Sequence, residues 1–160
     1  THDRMLAPFC AREELVVCAM HGLGARDALH EKPDYENILL DVYDFLDAQV
    51  AMLVSAGIPR DRILVDPGLG FGKSLEHNLT LVRGLALLHG LGCGLVIGAS
   101  RKGFIGRVTG AHPASQRMPG SIAVALAALS QGVQILRVHD VSETAQAVAL
   151  WRTLALGDMT

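Results

Sequence analysis

Four short runs rich in Val, Ile and Leu punctuate the chain: Leu15 to Met20, Ile63 to Val65, Leu95 to Ile97 and Val133 to Val138. Their apolarity is largely continuous rather than alternating, which predicts strands covered on both faces, as in a parallel sheet. Helical periods fill the gaps. Between Asp34 and Ala56, residues Ile38, Leu39, Val42, Phe45, Leu46, Val50 and Leu53 recur at a helical period, with Asp34 placed as N-cap and Gly57 and Pro59 as the stop. Asn78 to His89 carries Leu81, Val82, Leu85 and Leu88 and ends before Gly90. Ser121 to Gln131 is apolar nearly all round, which predicts burial between neighbours. A last helix opens at Ser142, with Glu143 in its first turn, and ends near Gly157. The order is β-α four times.

Such alternation demands parallel strands with right-handed crossovers, either in a doubly wound open sheet or in part of a (β/α)8 barrel. Four units in 160 residues match half of a barrel of roughly 250 residues or more. Half of the residues are apolar and 19% are charged, which excludes disorder and fits a single domain over residues 1–160. A chain of this size buries roughly 70% of its unfolded surface, so it needs no disulfide or metal staple. The balance of 14 Lys and Arg against 16 Asp and Glu creates no global field toward nucleic acid or an anionic membrane. Any anion site must be local.

Cys10, Cys18 and Cys93 are odd in number and set among apolar neighbours, with no CxxC. That is the pattern of buried thiols in a reducing compartment, so a cytoplasmic location is expected and structural zinc is not. Gly84 to Ser100 and Met118 to Leu136 lack Lys, Arg, Asp and Glu, but His89 and several glycines break the first, and Pro119, Gln131, Gly132 and Gln134 break the second. Both are expected to be helix-turn-strand units rather than membrane spans. The start, Thr1-His2-Asp3-Arg4, has neither Met nor a secretory signal pattern, and the sequence is expected to begin mid-protein.

Asp66-Pro67-Gly68-Leu69-Gly70-Phe71-Gly72-Lys73-Ser74 begins at a predicted strand end and invites comparison with a phosphate loop. The spacing fits neither a Walker A loop nor a dinucleotide fingerprint, because only three residues separate Gly68 from Gly72 and the glycines alternate. Glycines at 68, 70 and 72 still let backbone approach a flat ligand, and the Asp66 carboxylate can accept two N–H bonds from a guanidine-like ring edge. The alternative is a turn that needs positive φ. Ser100-Arg101-Lys102 follows the third strand and offers a hydroxyl and two cations, or else two solvated surface charges. Arg137-Val138-His139-Asp140 closes the fourth. Strand alternation puts Arg137 and His139 on one face, where they can share a diphosphate; the alternative is a satisfied core histidine. Met20-His21 ends the first strand and offers a soft wall to a ring, or simply core. His2, His30, His77, His89 and His112 show no metal-ligand spacing and receive no role.

These clusters all fall at the carboxyl ends of successive parallel strands, hence on one rim of one sheet. The rim predicts a site for a planar polar heterocycle with an anionic tail. Taken together, the segments from Asp66 to Lys73, from Gly98 to Gly106 and from Arg137 to Val141 resemble dihydropteroate synthase in order and spacing. Met20-His21 is similar to the end of that family's fifth strand. The resemblance runs from about Asp3 to Leu156.

The resemblance implies a (β/α)8 barrel that joins p-aminobenzoate to a dihydropterin methyl diphosphate, yielding 7,8-dihydropteroate and pyrophosphate. It implies that Asp66 binds the pterin edge, that Lys102 contacts the pterin with Met20 as a wall, and that Phe71 and Ser100 lie near p-aminobenzoate. Gly70 and Arg101 complete the substrate-binding set, while Arg137 and His139 hold the diphosphate. Lys102, Arg137 and His139 are the residues expected to act in catalysis. No covalent nucleophile is needed, since cationic groups lower the barrier as charge grows on the leaving diphosphate. Mg²⁺ is expected on that diphosphate, and sulfonamides are expected to compete for the p-aminobenzoate pocket.

The family's first four strands, with an Asn near the metal and further pterin contacts, have no counterpart here. The chain is therefore expected to be the carboxyl-terminal half of such a barrel, inactive alone, with a homodimer or a complementing amino-terminal half as partner. A non-catalytic half-barrel and a pterin-binding methyltransferase are the alternatives. The cationic residues favour a diphosphate-bearing substrate over the latter.

Overall fold

A computed structural model describes residues 5–22 and 35–157. Helix α1 (Leu6–Arg12) precedes β1 (Val17–Met20), α2 (Ile38–Ser55) and β2 (Ile63–Asp66). Then come α3 (Leu75–Arg83), β3 (Gly94–Ile97), α4 (Gly103–Thr109), α5 (Met118–Leu129), β4 (Ile135–Leu136) and α6 (Val141–Leu156). The strands pair in parallel in the order β1-β2-β3-β4. A doubly wound sheet reverses strand order at its switch point; this one does not, so the four units are consecutive units of a (β/α)8 barrel, equal to half of it.

The two faces of the sheet are unlike. Ala19, Ile63, Val65, Leu95 and Ile97 join the core with Val42, Leu46 and Val50 of α2, Leu81 of α3, and Leu85 and Leu88 in the 3-10 turn that follows. Because strand side chains alternate, Cys18, Met20, Leu64, Val96 and Ile135 point to the opposite, inner face. There Met20 and Ile135 are each 40% exposed and Cys18 is exposed as well. Cys10 and Cys93 are buried thiols as expected; Cys18 is not, because it points to the inner face, which the described residues leave open.

Several boundaries differ from the expectations. The Asp34 cap lies outside the described residues. The cap observed on α2 is Asn37, whose Oδ1 accepts the N–H groups of Leu39 and Leu40 at 3.2 and 3.3 Å. Helix α3 starts earlier than Asn78, because Ser74 and His77 form a reciprocal capping box, and the chain from Leu85 to Leu91 is 3-10 rather than α. The last helix opens one residue before Ser142, at Val141. The fourth strand shrinks to two residues. As the edge strand it has one neighbour, and Gln134 accepts the Leu95 N–H through its side-chain oxygen at 2.7 Å. Arg137 and His139 thus lie just beyond the strand. Helix α5 buries only Ser121, Ala125 and Ala128, so it is one-sided and not enclosed. Helices α1 and α4 were not foreseen, the latter hidden by Gly103 and Gly106. Among the described residues no helix is long and apolar enough to cross a membrane.

The contrast between faces is measurable. Leu95→Ala, at a position with no exposed surface, should cost about 2–5 kcal/mol in urea unfolding, and Ile135→Ala on the inner face about 1 kcal/mol or less. Equal costs would show that the inner face is packed as tightly as the core.

Candidate functional site

The loop after β2 is fixed from several sides. Asp66 is 3% exposed, and its Oδ1 accepts the Gly68 N–H at 2.7 Å. The His21 N–H donates to the Asp66 carbonyl at 2.9 Å, extending the β1–β2 ladder by one bond. Gly68 has φ +67°, and a Cβ there would fall 1.7 Å from the His21 carbonyl oxygen. Two strands of backbone can approach so closely only at glycine. Lys73 lies beneath, its ammonium donating to the carbonyls of Gly68 (2.9 Å) and Phe71 (3.2 Å) and meeting His21 Nδ1 at 2.9 Å. Buried Asn78 accepts the Gly70 N–H at 2.6 Å and donates to the Ser74 carbonyl at 2.6 Å. The loop therefore presents a half-exposed Phe71 ring on a stapled backbone.

Lys102 forms the other wall. It precedes α4, and its Nζ lies 3.9 Å from the Phe71 ring centroid, a cation–π pair. Burial and then the charge of Arg137 push its amine below the usual lysine value, with Asp66 opposing. A guanidinium nitrogen of Arg137 stands 3.6 Å from Asp66 Oδ2. That guanidinium lies across Gly98, where a Cβ would sit 2.6 Å from it. Met20 pairs in register with Asp66, and its Cε and the Phe71 Cβ flank Gly22 at 3.6 and 3.7 Å from a Cβ built there. Met20, Asp66, Gly70, Phe71, Lys102 and Arg137 thus form one surface.

Ser100, Arg101 and His139 form a second group beside it. The Ser100 hydroxyl oxygen accepts the His139 N–H at 3.2 Å and lies 3.0 Å from His139 Nδ1. The Arg101 guanidinium forks onto Asp140, at 3.1 and 2.5 Å, and holds that carboxyl below its ordinary value. The structure thus pairs Arg137 with Asp66 and His139 with Ser100. The first surface joins a carboxylate, two cations and two apolar side chains, which suits a flat ring with donor groups and an attached anion. Among the described residues no cluster of three His, Cys, Asp or Glu side chains stands ready for a metal ion.

Lys73, Asn78 and Asp140 hold the site yet received no individual role in the sequence, and His21 figured there only with Met20 as a wall to a ring. Asn78 had a signal, as a polar residue on the apolar stripe with Leu81, Leu85 and Leu88. Lys73 and His21 each stood in a motif, but nothing local announced their contact across 52 residues.

His21 supplies a pH test. Burial, then the neighbouring Lys73 charge, lower its imidazole to about 4 from 6.5, against weaker opposing effects of a backbone hydrogen bond and Asp41. Between those values the unfolded chain binds more protons than the folded one, so stability is full above pH 6.5 and falls as pH drops toward 4. Thermal melts of His21→Gln should show a shallower decline over that window; an unchanged decline would mean that His21 does not contribute it.

Comparison with known proteins agrees with this geometry. The family described as pterin binding enzyme matches residues 1–139. The dihydropteroate synthase of Neisseria meningitidis serogroup C is 43% identical over 141 residues, covering 88% of this chain and 50% of that protein. The Xanthomonas albilineans dihydropteroate synthase, solved in complex with 7,8-dihydropteroate, superposes with a TM-score of 0.87 at 35% identity, covering 95% of this chain and 55% of that one. The Yersinia pestis enzyme, solved with a sulfonamide drug, gives 0.87 at 37% identity and covers 95% and 55% respectively. The chain spans about half the length of the curated relatives it matches. Its motifs, its half-barrel and its relatives together make it a member of the pterin-binding enzyme family, with dihydropteroate synthases as its relatives.

Proposed function

We propose that this chain supplies the substrate-binding wall of a dihydropteroate synthase, condensing p-aminobenzoate with 6-hydroxymethyl-7,8-dihydropterin diphosphate to 7,8-dihydropteroate and pyrophosphate in folate biosynthesis. The observation that carries the reading is the convergence of Lys102 and Arg137 on buried Asp66 beside Phe71 and Met20. Asp66 takes the N–H edge of the pterin, and Met20 and Lys102 flank the ring. Phe71 and Ser100 border the p-aminobenzoate, where a sulfonamide competes. The aryl amine attacks the exocyclic methylene, a C–N bond forms as the C–O bond to diphosphate breaks, and the amine proton leaves to solvent. Lys102, Arg137 and His139 stabilise the charge that grows on the departing diphosphate.

A magnesium ion belongs to this reading as a passenger of the diphosphate. Two cations around one carboxylate suit the phosphate oxygens rather than a bare dication, so this chain's residues do not fit a resident ion and no step depends on one. The open inner face and the exposed Met20 and Ile135 support the further reading that a complementing half-barrel must cover the site before turnover. Helix α6 leaves Leu150 61% and Leu154 77% exposed, an apolar surface that supports self-association of the completed enzyme through that helix.

Two measurements test the proposal. Pyrophosphate release should be absent from the chain alone and appear when a complementing half is supplied; turnover by the chain alone at the rate of an intact synthase would overturn the half-site reading. In calorimetry, Arg137→Ala should weaken pyrophosphate binding by roughly tenfold or more while sparing a pterin that lacks diphosphate, and Asp66→Asn should do the reverse. Indifference of both ligands to both changes would place the site elsewhere.

A further inference from the structure

Arg101 is one of two non-glycine residues with positive φ among the described residues, at +58°. A left-handed backbone at a long side chain costs free energy that surrounding contacts must offset, and here those contacts are explicit. The Arg101 N–H donates to Ser121 Oγ at 2.9 Å, and the Ser121 hydroxyl donates to the Arg117 carbonyl at 2.7 Å. Arg117 in turn donates to the carbonyls of Arg101 at 3.0 Å and Ala111 at 3.1 Å. The first turn of α5 thus clamps the main chain of Arg101 on both its donor and its acceptor. The consequence is directional: the guanidinium is sent to Asp140, 39 residues away, where both carboxylate oxygens are engaged. Its neighbours in sequence face the site instead, Ser100 at His139 and Lys102 at Phe71.

Asp140 follows His139 directly and opens α6. A planar fork onto a carboxylate fixes angle as well as distance, so this pair ties the loop after β3 to the loop after β4. We propose that Arg101 is a positioning residue, acting through Asp140 to hold Ser100 and Lys102 at a set distance from Arg137 and His139, and that it does not itself touch substrate. The inference rests on the reading of that rim as the diphosphate end of the site.

The test combines hydrogen exchange with pyrophosphate calorimetry on the chain, for Arg101→Gln, Asp140→Asn, the double variant and Asp140→Glu. Exchange needs no ligand, so it judges the clamp even if pyrophosphate binds nowhere, an outcome that would overturn the site reading alone. The expected result is that Arg101→Gln and Asp140→Asn each speed exchange of the His139 amide by about tenfold, with core amides of α2 unchanged. The double variant should add nothing further, and Asp140→Glu, which keeps the carboxylate, should restore protection. Each single variant should weaken pyrophosphate by a similar factor. If Arg101 bound the anion directly, Asp140→Asn would release its guanidinium and tighten pyrophosphate while Arg101→Gln weakened it; that split, or a His139 amide indifferent to both changes, would overturn the proposal.

Discussion

Because β1 to β4 pair in sequence order through crossovers of one hand, the helices that cover them arrive on one face of the sheet. Everything about the site follows from that asymmetry. Strand alternation sends Ile63, Val65, Leu95 and Ile97 into a core closed by α2, α3 and the turn after it, and sends their neighbours the other way. Asp66 sits at the end of β2 on the inner side, held rigidly by a packed strand and itself buried, beside the exposed Met20 and Phe71. The same parity brings Met20 beside it and Arg137 across from it. Packing alone would favour apolar residues at these positions; the chain instead places a carboxylate and two cations there.

Charges held this way need support. Asp66 is nearly fully buried, and it is tolerated because Gly68 donates to one oxygen and Arg137 faces the other. Lys73 threads beneath the glycine loop and ties three carbonyl or imidazole acceptors into a fixed shape, and burial draws its ammonium down to about 8, with Asp66 opposing and Lys102 adding to the effect. The loop is thus preorganised, with the Phe71 ring 3.9 Å from Lys102 Nζ. Preorganised polar groups at a rim are what charge development on a leaving group requires.

Much of this was legible in the sequence, and the exceptions share a cause. Ile63 to Val65 and Leu95 to Ile97 are strands within a residue of their observed ends, since interior strands with neighbours on both sides need apolar residues on both faces. Val133 to Val138 promised six residues and gave two, because among the described residues no further strand pairs with this edge to extend the ladder. Ser121 to Gln131 and Cys18 looked buried, because composition cannot register which side of a half-barrel lacks a cover. Among the site residues, the clusters at the strand ends were visible as local motifs. The partnerships that hold them, Arg101 with Asp140 and Lys73 with His21, join positions 39 and 52 residues apart, and no local pattern announces them.

The helix-facing side is a finished core, while the inner side, among the described residues, is an open, site-bearing face. The three free thiols report on it directly: Cys10 and Cys93 lie in the buried set at 7% and 9% exposure, and Cys18 lies on the inner face. Maleimide labelling of the folded chain, read by mass after proteolysis, should modify Cys18 first and reach Cys10 and Cys93 only on unfolding; adding a complementing half-barrel should then protect Cys18. Protection of Cys18 equal to that of Cys93 in the chain alone would mean that the inner face is already covered, which would contradict an open inner face.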